Sequence, residues 1–287
     1  MTLESRGNEL MTIDWVSLIN AASICCTAPL KADLCLGALK CTGWRPVKLR
    51  VEGGGEFAVK GLWRCPTHDN LPPGRTMFNE NVVGRLGRFM LAPVPEVALV
   101  YVSQELIDQS TGVMGHLRSG IAHGSRLIEN STPAEPKHQM RCPIEPQNRP
   151  RFAHLAVLFG WTNVSDDSKI NDAEFLYDQG SNVHGVDFGN FFGGPKWEKF
   201  AQLNSRATPK AWIGSKLVPG ELDDASQHLR DLTPEQIACA VAAPPVEWGV
   251  TFDERVMLAT LLHARQAMRH RLSVGERYVA QPVGRDL

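Results

Sequence analysis

The glycine run Gly53-Gly54-Gly55 restricts the fold more than any other feature of the chain. Glycine has no Cβ and enters positive φ without the usual steric penalty. Three of them between Glu52 and Glu56 therefore mark a tight reversal. On either side the residues alternate, as Arg45-Pro-Val-Lys-Leu-Arg-Val51 and Phe57-Ala-Val-Lys-Gly-Leu62. A period of two is the pattern of a strand, so the stretch reads as a β-hairpin.

The rest of the chain follows from similar signals. Arg64 to Arg75 is rich in Pro, Gly, His and Asp and reads as a loop. Phe78, Val82, Val83, Leu86 and Phe89 share one helical face over Met77 to Phe89, and Pro93 and Pro95 stop that helix. Val97 to Val102 is a β-branched strand. Residues 129–151 hold Pro133, Pro136, Pro143, Pro146 and Pro150 and read as a mobile loop or an excursion between lobes. Phe152 to Trp161 is helical. Glu174 to Tyr177 and Val183 to Phe188 form a second hairpin. Thr233-Pro-Glu-Gln236 and Thr251-Phe-Asp-Glu254 carry capping-box patterns that start two more helices. Asp14 to Cys26 is apolar, and its periodicity does not separate helix from strand. This order predicts an α+β fold with segregated halves, β-rich then mainly helical, and not an alternating parallel sheet.

Composition excludes several classes. The 287 residues carry 30 basic and 31 acidic side chains, a net charge of −1 that argues against coating nucleic acid or anionic membrane. The most apolar run, Met90 to Val102, is broken by Pro93, Pro95 and Glu96, so no membrane span is expected. The first residues lack the basic-then-apolar layout of a secretory signal, and a cytoplasmic location with reduced thiols is expected. Among the seven cysteines there is no C-x-x-C pair, and they read as buried free thiols. His123 and His184 read as structural or solvated. His263, Arg265, Arg269, His270 and Arg271 read as a solvated basic helix end.

Candidate chemistry comes from an ordered set. Transfer of a phosphoryl group from ATP needs a cation on the phosphates, oxygen ligands for Mg²⁺, and a carboxylate beside the attacking hydroxyl. In protein kinases these arrive as a strand lysine, a helix glutamate, D-x-x-x-x-N and D-F-G. Here Lys60 ends the strand Phe57-Ala-Val-Lys60, and Glu80 lies on the following helix, placed to orient it. Asp166 and Asn171 have the D-x-x-x-x-N spacing, with Asp167 adjacent. Asp187-Phe188-Gly189 follows, a tripeptide that chance supplies about 0.05 times in a chain of this composition. The hairpin between Asn171 and Asp187 brings its ends together, so both side chains can hold one Mg²⁺. No G-x-G-x-x-G loop exists; Thr42-Gly43-Trp44 is the nearest phosphate-loop candidate.

The chain resembles the HipA-like kinases, bacterial relatives of protein kinases and phosphatidylinositol kinases. The likeness runs from about Gly43 to about Arg265. It rests on Arg45-Pro46 before a hairpin ending at Lys60, Asn79-Glu80 opening a helix, and Val94-Pro95 before a strand. It continues with Gly120 to Leu127, Trp161-Thr-Asn163, the D-x-x-x-x-N loop, Val186 to Phe192 and a helix after Trp248. The resemblance implies a bilobal protein-kinase-like fold, with residues 1–128 a β-rich N-lobe holding one helix and 129–287 a mainly helical C-lobe. ATP would bind between them, its phosphates near Lys60, Thr42 and Gly43, with Mg²⁺ on Asn171 and Asp187. Asp166, Lys60 and Glu80 would be the catalytic set. The implied activity is phosphorylation of a protein serine or threonine, with an antitoxin-like or regulatory protein as partner. Asn163-Val-Ser-Asp-Asp167 lacks the arginine often found after the family's catalytic aspartate, which leaves Asp166 and Asp167 both open as the base. A nucleotide-binding regulatory module, a lipid or small-molecule kinase, and AMP transfer on the same fold are the alternatives.

Overall fold

The computed structural model describes residues 13–25, 28–39, 45–62, 73–133, 145–163, 175–194, 197, 203 and 219–270. The chain opens with helix α1 (Trp15–Ile24) and strand β1 (Leu30–Ala38), where periodicity alone left the choice open. Asp14 caps α1 by accepting from the Ser17 amide. The expected hairpin follows as β2 (Val47–Val51) and β3 (Gly55–Lys60), in register from Val47↔Val59 to Val51↔Gly55. Gly53 and Gly54 both have positive φ, at 87° and 96°.

Helix α2 (Pro73–Phe89) starts within the stretch expected to be loop. It is not amphipathic in place: Met77 to Val83 is buried all round, and Phe89, expected in the core, is 36% exposed. The reason is tertiary, because α2 is enclosed by sheet on one side and helices on the other. Strand β4 (Val97–Val102), short helices α3 (Gln104–Gln109) and α4 (Thr111–Met114), and strand β5 (Gly120–Arg126) complete this half. The first 128 residues thus hold four helices among those described, where one was expected.

The five strands close into a barrel in the order β1-β2-β3-β5-β4. All contacts are antiparallel except the seam, where β1 meets β4 in parallel at Leu30↔Val100 and Lys31↔Tyr101. Alternation decides what fills the barrel: Val47, Leu49 and Val51 face inward with Phe57, Val59, Val100, Val102 and Ala122. Gly124 is required within β5, because a Cβ there would sit 2.6 Å from Val100 Cγ2.

A second, larger apolar cluster joins α1 and α2 to the rest of the chain. Its members include helices α5 (Arg149–Thr162), α6 (Pro219–Arg230), α7 (Pro234–Ala242) and α8 (Phe252–His270). Trp15 and Ile19 of α1 bury here, and α1 packs on α7 and α8. The Thr233 capping box is present with both reciprocal bonds, and Thr251 and Glu254 form a second. Strands β6 (Thr132–Pro133), β7 (Phe175–Tyr177) and β8 (Val183–Gly185) make a separate antiparallel sheet, so the proline-rich stretch supplies a strand. Among the described residues, no helix is long and apolar enough to cross a membrane.

Three described cysteines depart from the expectation of buried thiols: Cys25 is exposed, and Cys35 and Cys239 are half-buried. Arg265 departs from the expected solvated helix end. It is 1% exposed and donates to the carbonyls of Gly160, Trp161 and Leu203 at 2.7–2.9 Å. Those carbonyls lie at the C-terminal end of α5 and beside it, where a buried cation complements the helix dipole.

Candidate active site

Three elements place the site. β3 ends in Lys60, and α2 lies against β4 and β5 and presents Glu80 to that strand end. The segment after β8 carries Asp187. Lys60 Nζ donates to Glu80 in a short buried ion pair and to Asp187 Oδ1 at 2.7 Å. Residues separated by 20 and 127 positions thus share one ammonium.

Asp187 does not lie within a strand, as the expected span Val183 to Phe188 placed it. β8 stops at Gly185, and Asp187 takes φ +62°, a left-handed conformation that turns the chain. Phe188 then buries against Phe159 and Phe191, edge to face at centroid distances of 6.2 and 5.3 Å. Asn79, the neighbour of Glu80, holds the turn from the other side. Its Nδ2 donates to the carbonyls of Gly189 and Phe191, each at 2.9 Å, while its Oδ1 accepts from Trp197 Nε1 at 2.9 Å. Gly189 packs so closely that a Cβ would stand 2.4 Å from Thr76 Cγ2 and 3.4 Å from Glu80 Oε1.

His123 is the residue that sequence reasoning missed. It pairs in register with Lys60 across β3 and β5, so its side chain shares the lysine's side of the sheet. Its Nε2 lies 3.6 Å from Glu80 Oε2, and it is 1% exposed. Only the strand register signals this, and register is a long-range property.

The electrostatics follow from burial and pairing. Burial opposes the Lys60 charge, but Asp187 and Glu80 together hold the ammonium above the ordinary lysine range. Burial pushes Glu80 up to about 7, against the pull of Lys60. Asp187 is held below the usual carboxylate value: its partial desolvation is outweighed by Lys60. Burial, with Lys60 and Arg85 nearby, pushes His123 down to about 3, so it stands neutral.

The Asp187 side chain is 49% exposed, against 10% for Lys60 and 3% for Glu80. Lys60 bonds one of its oxygens. A half-exposed hard carboxylate beside a buried cation fits Mg²⁺, which takes oxygen ligands. The structure therefore brings Lys60, Glu80 and Asp187 together. Asp166, Asp167, Asn171, Thr42 and Gly43 lie outside the described residues.

No protein-family model and no curated protein matches the chain. Among solved structures, the fold is similar to that of the Helicobacter pylori proinflammatory kinase CtkA, with a TM-score of 0.59. The match has 10% sequence identity and covers 86% of this chain and 98% of that one. At that identity the likeness shows the fold: the chain has a kinase-like mixed fold of helices and sheets, whose N-terminal half is a small closed barrel.

Proposed function

We propose that the protein is an ATP-dependent phosphotransferase: a bilobal HipA-like serine/threonine kinase, with residues 1–128 its N-lobe and 129–287 its C-lobe. The observation that carries this reading is the buried Lys60 held between Glu80 and the half-exposed Asp187. A charged lysine that ends a strand, oriented by a helix carboxylate, is placed to draw ATP phosphate oxygens. The kinase-like fold supports the same reading.

In the proposed reaction the acceptor hydroxyl oxygen attacks the γ-phosphorus. The bond to the bridging oxygen breaks and ADP leaves. Asp166, or Asp167 beside it, takes the hydroxyl proton. Lys60 holds the phosphates, Glu80 fixes the lysine, and Thr42 and Gly43 border the phosphates. Asp187 and Asn171 would hold Mg²⁺, which supplies charge neutralisation on the phosphates. Asn79 keeps the Asp187 turn against α2, and so fixes the distance between the metal carboxylate and Lys60.

The test uses purified protein, γ-labelled ATP and Mg²⁺, with and without a protein acceptor. Label should move from ATP to protein or water. Lys60→Met and Asp187→Asn should each lower that rate roughly 100-fold or more while the fold persists. A nucleotide-dependent rise in melting temperature without label transfer would favour a regulatory module. Adenylate in place of phosphate on the product would favour AMP transfer. The absence of both a melting shift and turnover would refute the reading.

A further inference from the structure

A second group of reactive side chains lies apart from Lys60, between α5 and α6. His154 comes from α5, and Asp224 and His228 come from α6. Asp224 and His228 are four residues apart, so they share one helix face. We propose that His154, Asp224 and His228 bind one Zn²⁺ ion that staples α5 to α6.

The geometry supports a ligand set and not a chance encounter. His154 Nδ1 lies 2.9 Å from the Pro150 carbonyl oxygen. A carbonyl brings no proton, so Nδ1–H is the donor and the lone pair of the neutral ring sits on Nε2. That lone pair faces His228 Nδ1 at 3.1 Å. Two imidazole nitrogens on one tetrahedral zinc stand about 3.3 Å apart, given Zn–N bonds of about 2.0–2.1 Å. Asp224 Oδ2 lies 4.0 Å from His228 Nδ1, and one ligand atom from each of the three residues fits within 4.8 Å. Small side-chain rotations would place all three on one ion.

The surroundings agree. Metal-binding histidines characteristically donate their other N–H to a carbonyl or carboxylate, as His154 does to Pro150. The side-chain exposures of Asp224 and His228 are 67% and 32%. An ion would thus enter from that side and keep a fourth position for water. The Arg149–Glu221 ion pair, at 3.0 Å, ties the same two helices one turn away and holds their separation. Two nitrogens and a carboxylate suit zinc in the preference of imidazole for that metal.

The full chain, stripped with a chelator, is titrated with Zn²⁺ against a chromogenic competitor, and melting is followed with and without the metal. One equivalent should bind and raise the melting temperature. Co²⁺ in its place should give visible bands of a low-coordinate site with no thiolate-to-cobalt charge transfer. His228→Ala should weaken binding roughly 100-fold. Asp224→Asn, at an exposed position that the fold does not need, should weaken it roughly 10-fold. Binding that survives both substitutions, a thiolate band from the cysteines, or no stoichiometric binding by the unsubstituted chain would overturn the proposal. In the last case His228 Nδ1–H simply donates to His154 Nε2.

Discussion

Replacing Arg265 with methionine keeps the stem of the side chain and removes its guanidinium. Three carbonyls, of Gly160, Trp161 and Leu203, then lose donors at 2.7–2.9 Å. A buried carbonyl left without a partner costs about 1–3 kcal/mol, so the gross loss is about 6 kcal/mol. Part of it is offset. Burial pulls the guanidinium below its ordinary range to about 10, and removing the charge recovers about 3 kcal/mol of that desolvation. The net destabilisation is about 3 kcal/mol. For a domain of this size that lowers the melting temperature by about 6–10 °C. Urea unfolding followed by far-ultraviolet circular dichroism measures the first figure, and a thermal scan the second. A change below about 1 kcal/mol would refute the argument, because it would mean that water or the relaxed backbone satisfies the carbonyls as well as Arg265 does. Arg265→Lys should fall between the two, since an ammonium cannot match the fork of a guanidinium.

Three further outcomes are expected. Glu80→Gln leaves Lys60 with Asp187 as its carboxylate among these two, and should lower label transfer by about 10–100-fold with little change in fold, because a small displacement of the lysine misplaces the phosphates. Gly189→Ala forces a contact at 2.4 Å with Thr76 Cγ2, should cost about 1–3 kcal/mol in a melt, and should be rescued by Thr76→Ser, which lacks that methyl. Asp178 should give the fold an acid sensitivity. Desolvation opposes its charge, but the amide and side chain of Asn182 and then His184 hold it down to about 2, below the ordinary aspartate range. Its contribution is therefore full above pH 4 to 5 and lost as pH falls through about 2. Discounted for solvent screening it is worth about 1 kcal/mol, and Asp178→Asn should flatten the acid limb of the unfolding curve.

Much of the fold was legible because its signals are local. Alternation and the glycine run marked β2 and β3, prolines ended α2 near its true boundary, and Thr233 and Thr251 started helices through caps that bond within four residues. The ordering of Lys60, Glu80 and Asp187 was legible too, since each is set by its own element. Their meeting was not, because it depends on how α2 crosses the barrel and where the segment after β8 turns.

The sequence by itself determined the hairpin, the capped helices and the chemistry available at Lys60, Glu80 and Asp187. These rest on side-chain period, backbone freedom and charge, which are properties of neighbouring residues. Only the tertiary structure decided the rest. The parallel seam of β1 and β4 closes the barrel across about 70 residues of sequence. The register of β3 and β5 sets His123 beside Lys60, and the all-round burial of α2 hides the amphipathicity its sequence suggested. The packing of α5 on α6 and α8 buries Arg265 and gathers His154, Asp224 and His228. Each of these depends on pairing and packing between distant segments, and the free energy of such contacts is not written in any one stretch of chain.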